Sequence, residues 1–382
     1  AVQALDMAQG RGGDQAAEMT PDGFTFYGGV SHGVEKRSKV RSRLVADQLV
    51  KLIKEADHVV IMGHRMSDLD AIGAAEGVLR ICKICDVPAV IAVRRDATLA
   101  ASLIDALCKA GQKDDFIDPK DALPIISKRT LCIVVDTYQA GLVESKDILE
   151  KCGKVAVIDH HRKGVGYIEN PALVCHEPYS SSASELVTEL LQYVGERDDK
   201  PNRVEAEGLL AGILLDTQDF TLHTGVRTFE AAAALRRYGA ETERVRRLFD
   251  VTMVEYNAKA DLVEKAQMYK NCAISIGGEV APEARVAIAQ AANDLLRIQG
   301  VDASFVAVQV GNGVNVSARS MGAVNVQVIM ESLGGGGHQT MAAAQLKHIT
   351  PQAARSRIQD AIDQYYLSQK KTTPEARPAK GE

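Results

Sequence analysis

The chain has 382 residues and a formal net charge of −5, from 45 Lys and Arg against 50 Asp and Glu. That balance excludes a bulk nucleic-acid binder, which needs a basic footprint, though a few local cations can still hold a small anionic substrate. Hydrophobic residues at 46% and charged residues at 25% are ordinary for a soluble globular protein, and with no Trp and 4% aromatics the core must come mainly from Ala, Val, Ile and Leu, as suits an α/β protein.

At roughly 150 residues per domain the length implies two or three domains. No run of 18 apolar residues exists, so nothing in the chain is expected to span or contact a membrane, and there is no signal peptide. The seven cysteines are dispersed and odd in number, which reads as reduced core residues of a cytoplasmic protein. Cys82 and Cys85 form a CxxC, but inside a helical pattern and with no second pair. The chain begins without Met, in mid-pattern, and is expected to be a piece of a longer protein.

In chain order, residues 1–50 are glycine-rich and then basic. The basic stretch 35–43 continues into an amphipathic helix through Ile53, with Val40, Leu44, Val45, Leu49 and Leu52 on its apolar face. Then 58–62 is a buried-strand run, 70–85 a helix, and 89–93, 130–135 and 155–158 further strands. Strands alternating with helices imply a parallel sheet with helices on both faces. Helices dominate next, at 182–194, 203–215, 227–238 and 252–269. A second alternation opens near Asn271. It has a strand at 273–276, a helix at 282–298 with Pro282 in its first turn, and strands at 305–310 and 314–318 joined by Gly311-Asn312-Gly313, a hairpin signal. A helix at 325–333 then ends in four glycines, and a strand and a helix close the domain. The tail from Lys370 is expected to be disordered.

Acids and imidazoles recur where strands end, and in open α/β sheets ligands bind at the carboxyl ends of strands. Strand 58–62 runs into His64, Asp68 and Asp70, and Asp70 can also cap the following helix. Strand 130–135 ends in Asp136, and strand 155–158 ends in Asp159-His160-His161. The apolar helix 203–215 delivers Asp216. A lone Asp after a strand is usually a cap or turn residue, but four such pieces at one end of one sheet point to a metal centre. Nitrogen and carboxylate donors without thiolate favour manganese, cobalt or iron over structural zinc. Four carboxylates can hold two divalent ions, a pair that activates water and clamps an in-line phosphoryl displacement.

The pieces Gly63-His64-x-x-x-Asp68-x-Asp70, Val135-Asp136-Thr137, Asp159-His160-His161-Arg162-Lys163 and Asp216-Thr217 resemble the DHH phosphoesterase superfamily. The resemblance implies a two-domain α/β protein: an N-terminal parallel-sheet DHH domain and a smaller C-terminal α/β DHH-associated domain, with the metal cleft between them. It implies two divalent ions, Mn²⁺ above others. His64 and Asp68 would serve one metal; Asp70, His160 and Asp216 the other; Asp136 would bridge. Asp159 would orient His160 from behind, and His161 would face the substrate phosphate. Tyr138 departs from the family, where many relatives carry a histidine after Asp-Thr.

The stretch Gly334-Gly335-Gly336-Gly337-His338 looks like the glycine-histidine loop of the DHH-associated domain, whose backbone can approach a phosphate or base closely. By the same resemblance His338, Arg319, Gly335, Gly336 and Gly337 hold substrate. The run Tyr179-Ser-Ser-Ser-Ala-Ser-Glu185 starts a helix whose hydroxyls and amides could bind an anion, with Ser181 and Ser182 foremost. Arg227 is a further candidate.

The match is nearest to the branch that hydrolyses cyclic di-AMP to linear pApA by in-line attack of a hydroxide bridging two metals. Residues 4–8, 10–14 and 26–29 resemble the end of a degenerate GGDEF domain. The implied organisation is a GGDEF remnant at 1–35, a linker helix at 36–56, the DHH catalytic domain at 57–250, and a connecting helix at 251–270. The DHH-associated domain follows at 271–369 and a tail at 370–382. The implied partners are a cyclic dinucleotide and a second copy in a homodimer, with the full-length protein anchored by an upstream membrane segment. An oligoribonuclease or pAp phosphatase acting on short linear nucleotides, and a non-catalytic cyclic-dinucleotide receptor, are the competing expectations.

Overall fold

The computed structural model describes residues 15–20, 23–28, 39–161, 166–196, 199–279, 286–337 and 339–372. The chain forms two compact units, dividing between Asp250 and Val251. Among the described residues no helix is long and apolar enough to cross a membrane.

Near the N-terminus, strands β1 (Gln15–Thr20) and β2 (Gly23–Gly28) pair antiparallel. Helix α1 (Lys39–Glu55) follows. Its buried stripe is Ala46, Leu49 and Ile53, while Val40 and Leu44, assigned to the apolar face from the sequence, stand 70% and 56% exposed. The spacing i, i+3, i+7 selects the stripe that meets the core, and Val40 and Leu44 fall outside it.

The first unit is built on β3 (Val59–Met62), α2 (Leu69–Ile84), β4 (Ala89–Ala92), α3 (Ala101–Leu107), β5 (Phe116–Ile117), α4 (Pro119–Ala122), β6 (Leu131–Val135), α5 (Lys146–Lys151), β7 (Lys154–Asp159) and β8 (Leu173–His176). The six strands run in the order β5-β4-β3-β6-β7-β8 and every pairing is parallel. β3 and β6, buried at every position, are continuous Val/Ile/Leu/Cys/Met runs, as two-faced burial requires. Helices α6 (Ala183–Leu191), α7 (Arg203–Thr217), α8 (Val226–Arg237) and α9 (Thr242–Arg247) complete the unit. One core cluster joins α1, α2, α6 and α7 to one side of the sheet, and a second, around Val60, Met62, Cys132 and Val134, fills the other.

Two glycines set the spacing of α2 against α7. A Cβ on Gly73 would lie 2.5 Å from the Gly208 carbonyl oxygen, and one on Gly212 would lie 2.8 Å from the Asp70 Cα. This close approach brings the first turn of α2 beside the last turn of α7, where Asp70 and Asp216 stand.

The second unit contains α10 (Met253–Glu264), β9 (Gln267–Tyr269), β10 (Cys272–Glu279), α11 (Val286–Leu295), β11 (Ala303–Val310), β12 (Gly313–Ser320), α12 (Val326–Ser332), β13 (Gly336–Gly337), β14 (Met341–Lys347) and α13 (Pro351–Thr372). Its sheet order is β13-β14-β12-β11-β10-β9, with β10–β11 the parallel pair. Gly311 and Asn312 turn β11 into β12. The segment read as a connecting helix belongs to this unit: Leu262 of α10 is buried with Ala273, Ile288 and Val306. The helix expected over 252–269 stops at Glu264, and 267–269 pairs instead as an edge strand. The Pro282 start expected for the next helix lies outside the described residues. α13 runs to Thr372, past the point where the tail was expected to begin.

Candidate metal centre

β3 ends at Met62, and the chain turns through Gly63 to His64. A Cβ on Gly63 would lie 2.9 Å from the Ala71 Cβ, so glycine lets this loop sit against the start of α2. His64 bridges to Val143, and the Ser67 hydroxyl donates to the His64 carbonyl at 2.6 Å. Asp68, not Asp70, caps α2: its Oδ1 accepts the amides of Asp70 and Ala71 at 3.0 and 3.1 Å. Its Oδ2 is left to face His64 Nε2 at 3.8 Å. One carboxylate therefore starts the helix and lines the site.

Asp70 lies two residues further on, in the first turn of α2, and is fully buried. Its Oδ2 and Oδ1 accept the amides of Ala183 and Ser184, at 2.7 and 2.8 Å. The anion held by the α6 N-terminus is thus the chain's own carboxylate, a charge that this end of a helix favours.

Asp136 follows β6 with φ +58, a left-handed conformation an aspartate tolerates better than most residues. Its Oδ2 lies 3.5 Å from His64 Nε2, and its Oδ1 lies 3.3 Å from His160 Nε2 and 3.6 Å from His161 Nδ1. His160, just past β7, also approaches Asp216 Oδ2 at 3.0 Å and Asp70 Oδ2 at 3.8 Å. Among the described residues three overlapping donor groups result, His64–Asp68–Asp136, Asp70–Asp136–His160–Asp216 and Asp136–His160–His161. Within each, the donor atoms lie within 4.8 Å of one another, and Asp136 belongs to all three. Asp159 turns out to orient His161: its Oδ1 accepts the His161 amide at 3.2 Å and meets the ring Nδ1 at 2.9 Å. With both contacts on His161, the expected pairing with His160 is not made.

The electrostatics are those of a site short of positive charge. Burial pushes the Asp70 carboxyl well up, and Asp136 and Asp216 add to the push. Burial likewise raises Asp216, against the opposing pull of His160. Burial works against charge on His64, but Asp136 and Asp68 outweigh it and lift the imidazole to about 11. His160 is raised by Asp136 and Asp216 in the same contest with burial. Burial raises Asp136 too, but the imidazoles of His160 and His64 outweigh it and hold the carboxyl below the usual range. Despite these short contacts, buried Asp136 Oδ1 and His160 Nε2 make no hydrogen bond of good geometry, although buried polar atoms are nearly always well paired. Nitrogen and carboxylate oxygen ligand atoms converging in this way, without thiolate, fit divalent cations.

The expected substrate residues divide. The Ser182 hydroxyl caps α6 by accepting the Glu185 amide at 3.0 Å, and the Ser181 hydroxyl donates to Glu185 Oε2 at 2.6 Å. Both residues are buried, and both hydroxyls are engaged within the chain. Arg227 is engaged within the chain too: its Nε and Nη2 donate to Glu189 at 2.8 Å each. In the second unit, Arg319 on β12 donates from Nη1 to the Ser317 hydroxyl and the Ala318 carbonyl, at 3.0 and 2.9 Å. Its buried Nε has no partner, and burial lowers the guanidinium to about 10.

Three of the four glycines have structural reasons. Gly334 has φ +79 just past α12, as a helix C-cap needs. A Cβ on Gly335 or Gly337 would lie 2.2 or 2.4 Å from a β14 carbonyl oxygen, whereas Gly336 has open space. His338 lies outside the described residues.

Two residues escaped the sequence reading. His176, the last residue of β8, places Nε2 at 2.6 Å from the His161 carbonyl oxygen. A carbonyl only accepts, so Nε2 carries the proton, and the contact helps fix the His161 backbone. Tyr138 packs its ring against His176 and Tyr167. Glu185 is the second, and the Ser182-x-x-Glu185 spacing of a capping box was a signal that could have drawn attention to it.

The DHH family, N-terminal domain, matches residues 58–213, and the DHHA1 domain matches residues 281–367. The chain is 45% identical over 372 residues to the cyclic-di-AMP phosphodiesterase GdpP of Geobacillus thermodenitrificans, which covers 96% of this chain. It spans 56%, little more than half, of that relative. It is 27% identical over 341 residues to the bifunctional oligoribonuclease and PAP phosphatase NrnA of Thermus thermophilus, covering 86% of this chain and 95% of that one. Among solved structures, an exopolyphosphatase-related protein from Bacteroides fragilis superposes with a TM-score of 0.73 at 20% identity, over 86% of this chain and 98% of that one, a likeness of fold.

Proposed function

This chain belongs to the DHH family, with a DHH and a DHHA1 domain, and on that premise we propose that it is a metal-dependent phosphodiesterase that opens cyclic di-AMP to linear pApA. The observation that carries the proposal is the two-sided environment of Asp136, with His64 beside one oxygen and His160 beside the other. His64 and Asp68 would hold one divalent ion, Asp70, His160 and Asp216 a second, and Asp136 both. Two such ions, Mn²⁺ by the donor chemistry, supply when bound an activated water and the charge needed for in-line displacement at phosphorus.

The chain's own residues set the geometry. The α6 amides fix Asp70, and the cap at Asp68 fixes its second oxygen toward His64. Asp159 holds the ring of His161, which is 41% exposed, where it can contact a substrate phosphate or give a proton to the leaving oxygen. In the second unit, Arg319 and the backbone at Gly335, Gly336 and Gly337 remain the candidates for substrate contact.

The cyclic substrate is supported by the 45% identical relative, a cyclic-di-AMP phosphodiesterase. The relative of which the chain spans 95%, an oligoribonuclease and PAP phosphatase, favours short linear substrates as the second reading. Chromatography of products from cyclic di-AMP, pApA and pAp, at one manganese concentration, decides between them. Faster turnover of cyclic di-AMP, with pApA accumulating, is expected. Faster turnover of pApA or pAp establishes the second reading, and intact ligand throughout establishes a receptor.

A further inference from the structure

The serine run before α6 is drawn into the protein. The Ser180 hydroxyl donates to Glu185 Oε1 at 2.9 Å, and the Ser181 hydroxyl and amide donate to Oε2 at 2.6 and 3.4 Å. Glu185 is 1% exposed, and a carboxylate so placed needs polar partners on both oxygens. It has them, and Arg227 Nε stands 3.8 Å from Oε1, while Glu189 grips the same guanidinium. Glu185 thus folds the turn 180–182 back onto the first turn of its own helix. The next two residues, Ala183 and Ser184, are the ones whose amides hold Asp70, and the Ser184 hydroxyl also reaches the Asp70 carbonyl at 3.3 Å.

We infer that Glu185 is a positioning residue for the metal centre, acting through the serine turn and the α6 amides to set the direction in which Asp70 presents its carboxylate. The inference rests on the two-metal proposal above. It gives the run Ser180–Glu185 a role different from substrate contact. Asp70 belongs to the donor set with His160 and Asp216, and Asp68 with His64 belongs to a separate one. Loosening the turn therefore affects one ion and spares its neighbour. Residues that orient metal ligands typically contribute about 10- to 100-fold in metal affinity.

The test is Mn²⁺ titration of the metal-stripped full chain, followed by electron paramagnetic resonance of the free ion, with the melting temperature recorded in parallel. Wild type is expected to show two classes of site. Glu185→Gln is expected to weaken one class about 10-fold or more and leave the other within about twofold, with KM for cyclic di-AMP at saturating manganese within about threefold. The double variant Ser180→Ala/Ser181→Ala, which keeps the buried carboxylate, is expected to shift the same class in the same direction, and it carries the test alone if Glu185→Gln does not fold. Unchanged affinity at both classes in a folded variant overturns the inference, as does equal weakening of both in step with a lower melting temperature. A wild type that binds fewer than two Mn²⁺ fails the two-metal proposal itself, and this inference with it.

Discussion

Replacing Gly212 with alanine tests whether the approach of α7 to α2 builds the site. The new methyl carbon would lie 2.6 Å from Asp70 Oδ1, 2.8 Å from Asp70 Cα and 2.3 Å from the Ser184 hydroxyl. Ordinary contact begins at 3.4 Å, so the helices must part by about 0.6 to 0.8 Å. Two of the three obstructing atoms belong to Asp70, held by two amides, and cannot swing aside as a flexible side-chain end would. Overpacking of this kind costs about 1–3 kcal/mol. A displacement approaching 1 Å in a reacting constellation can lower the rate about 100-fold. Denaturant midpoints and turnover of Gly212→Ala should show both losses. Gly141→Ala is the control: a Cβ there meets nothing within 4 Å, so its stability should stay within about 0.5 kcal/mol of wild type. A Gly212→Ala protein with wild-type stability and turnover refutes the reasoning.

Glu76 is fully buried on α2, and burial, reinforced by Glu205 and Asp115, raises its carboxyl from 4.5 to about 8. An acid raised on folding stabilises the fold below its unfolded value and loses that contribution as pH climbs through the folded one. Wild type should therefore weaken between about pH 4.5 and 8 relative to Glu76→Gln, by roughly 1.4 kcal/mol per pH unit at most. Denaturant midpoints at pH 5 and 8.5 measure it, and parallel curves refute it. Asp68 has separable roles. Asp68→Asn keeps a capping oxygen, so its stability should hold while Mn²⁺ affinity falls. Asp68→Ala should in addition lose about 1 kcal/mol of stability, and equal stability of the two variants in chemical denaturation argues against the cap.

Much of the parallel sheet was legible because β3, β6 and β7 carry apolar runs that only two-faced burial explains. β5 and β8 were not, since two residues give no periodicity and Leu173-Val-Cys-His176 alternates between buried and more exposed positions at the sheet edge. At the site, the residue types and their places after strands could be read, because a ligand at a strand end leaves a local mark. Pairings could not. Asp70 meets Ala183 across 113 residues of sequence, and only the fold turns an apparent anion-binding serine run into the support of a carboxylate. Asp159 is equally ambiguous from sequence, adjacent to one histidine and two positions from another, and the backbone after β7 decides for His161. Gly212 looks like any helical glycine until the atoms opposite it are known.

The central claim is that Asp136 serves both the His64–Asp68 set and the Asp70–His160–Asp216 set, and Asp136→Asn tests it most directly. Metal content after dialysis and release of pApA from cyclic di-AMP should be measured on the same folded preparation. Metal content well below wild type together with turnover at background is the predicted result. Sustained turnover by a folded, metal-poor variant would contradict it.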